Sequence, residues 1–406
     1  MNITDVGHLT SDADTGEDKM IKALKREGKK LNEKSILEIA DFYTKAFKKD
    51  LKNLNIIEPD IWCKATEHIK EQINMVKKLL KNGYAYKTEE AVYFDTLKLK
   101  DYAKLAKLNL KELKEGARAK KRINKKNPTD FALWLKLVRE HKNHIMNWDS
   151  PWGKGFPGWH IECSAMSIKY LGKEFDIHCG GIDHIPVHHT NERAQNIGAY
   201  NHPAVKIWLH GEFLVLKKGR MGKSEGNIII LDSLIKKGFN PLAYRYLTLN
   251  AHYRSKLTFS WKILESAHNA LENLYERMIE IKTHNTQHII HNKKKGELYR
   301  ENFLKAVNDD LNMPKALAVM WDLIKDKNLS NKDKYSLLLN FDKIFGLDLN
   351  RIKKLKIPQK VKILIGKREE FRKKDNWKKS DELRKQIKKL GYKIEDTGKG
   401  TKVKKL

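Results

Sequence analysis

Phe175-Asp176-Ile177-His178-Cys179-Gly180-Gly181-Ile182-Asp183, continued by His184-Ile185-Pro186-Val187-His188-His189-Thr190-Asn191-Glu192, is the stretch that decides the fold. Its apolar start reads as a strand, its paired glycines as a tight turn, and Pro186 as the opening of a helix. Another apolar run, Phe213-Leu214-Val215-Leu216, gives a further strand. Strand, turn and helix in that order predict a βαβ arrangement with its functional loops at the strand ends. If Pro186 opens a helix, His188 and Glu192 stand one turn apart on one face. Just upstream, Gly155-Phe156-Pro157-Gly158-Trp159-His160-Ile161-Glu162-Cys163 brings in a thiol. Cys, His and Glu suit zinc, and three protein ligands leave a position open to a substrate. Taken alone, such a trio is more often a surface His–Glu pair beside an unrelated buried cysteine. Cys179 reads as a small turn residue, because it would crowd a site already supplied.

Further on, Lys217-Lys218-Gly219-Arg220-Met221-Gly222-Lys223-Ser224-Glu225-Gly226-Asn227 interleaves glycines with cations. A loop of this kind can close on phosphates, where a lysine stabilises charge developing at a phosphoryl centre. It lacks the spacing of a Walker A loop, and on its own it is equally a solvated basic turn.

Residues 17–58 read as helical, with Ile36, Ile39, Tyr43 and Phe47 at helical spacing. A second helix over 66–82 stops at Asn82-Gly83. Tyr84-Ala85-Tyr86 and Ala91-Val92-Tyr93-Phe94 read as a hairpin. Residues 96–127 are Lys-rich and loosely patterned, so 66–150 reads as an insertion within a larger α/β domain. From 241 to 346 the pattern is helical, with a cap at Asn312-Met313-Pro314. In the basic last sixty residues, Leu383, Ile387 and Leu390 form one apolar face, closed by Gly391. Met1-Asn2-Ile3-Thr4-Asp5-Val6 reads as the end of a buried strand, which predicts a piece of chain ahead of it.

Composition narrows the functional classes. The 406 residues suffice for two to four domains, and 40% hydrophobic residues can build real cores. No run of 18 apolar residues and no charged-then-apolar leader occurs, so neither a membrane span nor a signal peptide is expected. Three scattered cysteines argue against a disulfide framework and for a reducing compartment, the cytoplasm by default. Lys plus Arg outnumber Asp plus Glu by 82 to 51, a net charge of +31 that predicts attraction to nucleic acid unless the surplus is only solvated helix surface.

In combination these motifs resemble, in order and over essentially the whole chain, the class I cysteinyl-tRNA synthetases. Asn127-Pro128-Thr129-Asp130-Phe131-Ala132-Leu133-Trp134, His252-Tyr253-Arg254-Ser255, Asp309-Asp310-Leu311-Asn312-Met313-Pro314 and Glu395-Asp396-Thr397-Gly398 add to the likeness. The resemblance implies a Rossmann-like nucleotide-binding core (1–65 and 151–230) split by an insertion (66–150). After it come a stem-contact region (231–262), a helical bundle (263–346) and a small basic anticodon-binding region (347–406). It implies Cys163, His188 and Glu192 as ligands of one Zn2+, and Thr4, Trp159, His178 and Asp183 as the cysteine pocket. Arg220, Met221, Gly222, Lys223 and Ser224 fall on the loop that binds ATP with Mg2+, Lys223 being its second lysine. Arg220 stands where the family has lysine, Gly222 where it has serine and Cys179 where glycine is expected. Partners implied are ATP, L-cysteine and tRNA(Cys), with the chain a monomer.

The family's fourth zinc ligand and its histidine-isoleucine-glycine-histidine motif lie in a first strand that would precede Met1, so the chain alone is expected to charge tRNA poorly. An internal start, a split gene or a degenerate paralogue would each produce this. Two other functions compete: a ligase joining cysteine to an amino sugar on the same core, and a non-catalytic tRNA-binding protein. The basic tail, with Arg368, Arg372, Lys373, Lys374, Trp377 and Arg384, favours tRNA.

Overall fold

The computed structural model describes residues 1–7, 9–11, 15–107, 125–216, 228–283, 292–352, 357–397 and 400–405. The chain forms two compact units, residues 1–215 with 253–258, and residues 216–252 with 259–406. Among the described residues no helix is long and apolar enough to cross a membrane.

In the first unit β1 (Asn2–Ile3) is followed by a hairpin of β2 (Leu9–Ser11) and β3 (Thr15–Asp18). Then come α1 (Lys19–Arg26) and α2 (Glu33–Asn53), which lead to β4 (Cys63–Lys64). β4 runs parallel to β1, so the intervening helices serve as a crossover. The single helical stretch expected over 17–58 is thus two helices, preceded by a strand. Ile36 and Ile39 bury one face of α2, whereas Tyr43 and Phe47, placed on the same periodicity, are 47% and 42% exposed. The start of the chain is also less buried than expected. Asn2 is exposed and Ile3 half-buried, and burial begins at Asp5 and Val6. Asp5 accepts from the Thr66 backbone N–H at 3.0 Å and from its hydroxyl at 2.7 Å, fixing the loop after β1 to the turn after β4.

α3 (Ile69–Lys81) buries Met75, Val76 and Leu79, an i, i+1, i+4 stripe. The hairpin read from sequence is β5 (Ala85–Lys87) and β6 (Ala91–Phe94). It is extended by β7 (Phe131–Lys136) and β8 (Gly155–Pro157) into a four-stranded antiparallel sheet. Gly158 closes β8 where only a residue without Cβ fits, since a Cβ would sit 2.1 Å from the Ala132 carbonyl oxygen. α4 (Trp159–Leu171) follows, then β9 (Phe175–Gly181), α5 (Thr190–Tyr200) and β10 (Val205–Gly211). β9 and β10 are parallel, which makes 175–211 a βαβ unit as expected, but its second strand is Val205–Gly211 and the run Phe213–Leu216 read as a strand lies outside it. One core joins α3, α4 and α5 to the antiparallel sheet. Met75, Val76 and Leu79 of α3 pack with Val92, Phe94, Leu133 and Trp134 of the sheet, with Ile161 and Ala165 of α4, and with Ala194 and Ala199 of α5. The segment read as an insertion therefore shares its hydrophobic core with α4 and α5.

The chain continues through β11 (Leu214–Leu216), α6 (Leu231–Lys236), α7 (Pro241–Leu249) and β12 (Leu257–Phe259). The second unit holds α8 (Trp261–Thr283), α9 (Lys293–Asn308), α10 (Met313–Lys325) and α11 (Asn331–Phe345), helical as expected. The predicted cap at Asn312 is present: its side chain accepts from the Lys315 N–H at 3.3 Å, with Pro314 in the first turn. The C-terminal module is α12 (Gln359–Lys373), α13 (Trp377–Lys389) and a hairpin of β13 (Tyr392–Thr397) with β14 (Gly400–Lys405). Its core is narrower than the sequence suggested. Ile387 is buried with Val361 and Ile394, but Leu390 is 39% exposed. Arg368 is 1% exposed and bonds Asp396 through both terminal nitrogens at 2.8 and 2.7 Å. It is thus committed to holding the module together and is not available to a polyanion.

Candidate metal centre

Because β9 and β10 are parallel, their C-terminal ends lie side by side, with His178 opposite Trp208 and Gly180 opposite His210. α4 carries Cys163 and α5 carries Glu192. His188 comes from a wide, π-type turn, Ile185–His189, with Pro186 near its start. Pro186 therefore opens this turn, and the α-helix proper begins only at Thr190. Such turns are energetically poor and recur at functional sites. The i, i+4 relation survives, with His188 Nε2 3.0 Å from Glu192 Oε1. The structure brings the ligand atoms of Cys163, His188 and Glu192 within 4.8 Å of one another, all three residues buried.

The electrostatics suit a cation. Burial works to keep Glu192 neutral, but the imidazoles of His178 and His188 outweigh it and hold the carboxyl well below its ordinary range. Oε1 is buried and, apart from the 3.0 Å approach of His188 Nε2, has no hydrogen-bond donor among the described residues. A carboxylate oxygen in that state is normally paired with a cation. Burial first, then the nearby Glu192, Glu162 and Cys63, push the Cys163 thiol well up. A metal ion there would reverse this, since a coordinated thiol is deprotonated. The donor set, one sulfur, one imidazole and one carboxylate, fits zinc.

The other residues nominated from sequence are placed unevenly. Trp159 lies against the site, its ring 4.4 Å from that of His188. His178 faces Glu192 Oε2 at 3.5 Å. Burial opposes its charge, but Glu192 prevails and raises its pKa. Asp183 is exposed in a 3-10 turn at the end of β9. Thr4 is exposed just beyond β1, two residues past Asn2. Cys179 is not a turn residue: β9 continues through it to Gly181, with Cys179 paired to Leu209 and exposed. It is in neither candidate ligand group. Arg220, Met221, Gly222, Lys223 and Ser224 lie outside the described residues.

Several contributors escaped the sequence reading. The Asn2 amide donates to Cys163 Sγ at 3.1 Å across 161 positions, a contact with no local signal. His160 Nδ1 lies 3.0 Å from His188 Nδ1. Its position three residues before Cys163 puts both on one helix face, so this one was there to be found. His189 forms a second group with His178 and Glu192, and its Nδ1 is 2.8 Å from His210 Nε2. Burial leads in pressing His189 down to about 3, so it is a neutral donor at any ordinary pH. Gly180 makes the room: a Cβ there would lie 2.4 Å from His189 Cε1 and 2.9 Å from His184 Nδ1.

Residues 2–269 match the family model for the class I (C) tRNA synthetase catalytic domain. Residues 302–350 match the DALR domain, and 356–403 the cysteinyl-tRNA ligase anticodon binding domain. The cysteine–tRNA ligase of Treponema denticola is 45% identical, the alignment taking in 100% of this chain and 87% of that protein. Cysteine–tRNA ligase 1 of Burkholderia lata is also 45% identical, over 99% of this chain and 83% of its own. A solved structure, Mycobacterium tuberculosis methionyl-tRNA synthetase with methionyl-adenylate, aligns with a TM-score of 0.52 at 14% identity. It covers 82% of this chain and 79% of the other, a likeness of fold alone. With the catalytic and anticodon-binding models of one kind of enzyme matched along it, and relatives at 45% identity nearly end to end, the chain belongs to the class I cysteinyl-tRNA synthetase family.

Proposed function

We propose that this chain activates L-cysteine with Mg2+–ATP and transfers it to tRNA(Cys), with Cys163, His188 and Glu192 holding a zinc ion that reads the substrate thiol. The gathering of those three buried donors within 4.8 Å carries the zinc reading. Bound there, the ion supplies a soft Lewis-acid contact that favours a thiol sulfur over the hydroxyl of serine. A cavity selecting by fit alone rejects an isostere by only about a hundredfold. His160 holds the His188 ring by its far nitrogen, which leaves Nε2 facing the site. Trp159, His178, Thr4 and Asp183 shape the pocket for cysteine.

Arg220, Met221, Gly222, Lys223 and Ser224 form the ATP-binding loop, with Lys223 and Arg220 stabilising charge on the phosphates. The substrate carboxylate attacks the α-phosphate and pyrophosphate leaves. A terminal ribose hydroxyl of tRNA then attacks the adenylate carbonyl and AMP leaves. Positioning and charge stabilisation supply most of the rate, and no protein base is assigned. In this reading residues 1–65 and 151–230 are the core, 66–150 the insertion, 231–262 the stem-contact region, 263–346 the helical bundle and 347–406 the anticodon-binding region. The enzyme works as a cytoplasmic monomer. The match of 356–403 to an anticodon-binding model favours tRNA over an amino-sugar acceptor.

Cysteine-dependent ATP–pyrophosphate exchange on the zinc-loaded protein tests this. Exchange with cysteine and not serine is expected. No cysteine-dependent exchange, with tRNA still bound, would instead identify a non-catalytic tRNA-binding protein.

A further inference from the structure

Glu192 is flanked by Asn191 and Arg193, and both flanking side chains are tied to one place, the consecutive residues Asp101 and Tyr102. The Tyr102 hydroxyl donates to Asn191 Oδ1 at 2.5 Å. Arg193 donates through Nη1 to the Asp101 carbonyl at 3.1 Å and through Nη2 to the Asp101 carboxylate. These bonds join positions 89 and 92 apart in the chain. Tyr102 and Asn191 are buried, at 6% and 2% exposure, and the tyrosine ring stacks on Phe131. The Asp101 carboxylate is 43% exposed, so solvent screens part of its attraction, but its carbonyl bond and the tyrosine bond do not rest on charge.

The geometry makes these two tethers complementary. Successive residues of an α-helix point about 100° apart, so Asn191 and Arg193 project to either side of Glu192. Holding both flanks fixes the rotation of that turn about the helix axis, which one tether cannot do. A carboxylate about 6 Å from the axis moves about 1 Å for a rotation of about 10°. Metal sites hold their ligand distances to within about 0.2 Å. Small rotations of α5 therefore decide whether Glu192 meets Cys163 and His188.

We infer that Asp101 and Tyr102 are positioning residues for the metal centre: acting through Arg193 and Asn191, they set the helix rotation that completes the Cys163–His188–Glu192 group. The inference rests on the metal reading proposed above. It gives the segment around 101–102, remote in sequence and without a ligand of its own, a hold on cysteine selection.

Tyr102→Phe removes one tether, and Arg193→Met removes both bonds of the other while keeping an extended side chain. Zinc(II) affinity of the full chain and the variants is measured by competition with a chromophoric chelator, alongside thermal unfolding of the metal-free proteins. Outer-shell changes at metal sites cost about 10-fold to 100-fold in affinity. The expected loss is about tenfold in each variant and larger in the double variant, beyond what any lowering of the metal-free midpoint accounts for. The KM for cysteine rises while that for ATP does not. Unchanged zinc affinity in folded variants, or a loss that only follows a lowered midpoint, overturns the inference and leaves the metal reading intact. Failure of the unmodified chain to bind zinc overturns both. Should Tyr102→Phe not fold, Arg193→Met decides the matter by itself.

Discussion

Glu192 is a buried carboxyl kept ionised by its neighbours, and that tension suits it to hold a cation. Glu192→Gln keeps its volume and removes its charge. The variant should lose zinc about 100-fold more readily to a chelator, since the neutral amide is a poor ligand and the cation loses a balancing charge. Metal content after equilibrium dialysis reads this, and equal retention by both proteins would remove Glu192 from the site. Gly180→Ala tests the room behind the site. Its Cβ must displace His189 or His184, for which overpacking costs about 1–3 kcal/mol. A lowered unfolding midpoint is expected, and an unchanged one would mean that the two imidazoles move aside freely. The three candidate donors were legible because Cys, His and Glu are chemically conspicuous and the i, i+4 spacing is local. Asn2 and Gly180 were not, since an amide and a glycine acquire meaning only from what the fold brings against them.

Elements were legible in proportion to how local their causes are. The hairpin 85–94 showed itself through alternation and a polar turn, and α3 through its 3.6-residue stripe. The pairing of Gly155–Pro157 with Trp134–Lys136 has no local signal, so the antiparallel sheet was seen only in part. The break between α1 and α2 has local causes, Gly28 at a φ of 65° and the Asn32 cap that accepts from the Ser35 N–H, whereas the π-type turn before α5 depends on tertiary packing that overrides helix propensity. In the C-terminal module the same limit turned a buried structural arginine into an expected tRNA contact. Asp396 accepts from Arg368 and Arg372, and Arg368 above all holds its carboxyl below the ordinary value. A depressed carboxylate contributes stability that is complete above its unfolded pKa, about 4, and is lost as pH falls through the lower folded value. Amide exchange in residues 359–397 should therefore accelerate as pH is lowered from 5 to 3, after correction for the intrinsic rate. In Asp396→Asn the module should open more readily at pH 7 and show little further change on acidification. An acid response as large in Asp396→Asn as in the unmodified chain would place the titrating group elsewhere.

At the scale of the whole molecule the dominant fact is a net charge of +31, which composition alone could show but not assign. Each phosphate neutralised by a cation releases counterions, so tRNA affinity must fall as a power of salt concentration. For about six such contacts the loss between 50 and 200 mM salt is about a thousandfold. The basic residues of the last helices then separate into two kinds. Lys373 is exposed, and Lys373→Ala should weaken tRNA binding modestly and reduce the salt slope by about one, if it touches a phosphate. Arg368 is buried on Asp396, and Arg368→Ala should instead destabilise the module, since it leaves a carboxylate without its principal partner. Binding isotherms for the two variants across a salt series distinguish these roles. A shallower slope for Arg368→Ala in a protein that unfolds normally would show that the buried arginine reaches the tRNA after all. An unchanged slope for Lys373→Ala would move the electrostatic footprint off this face of α12.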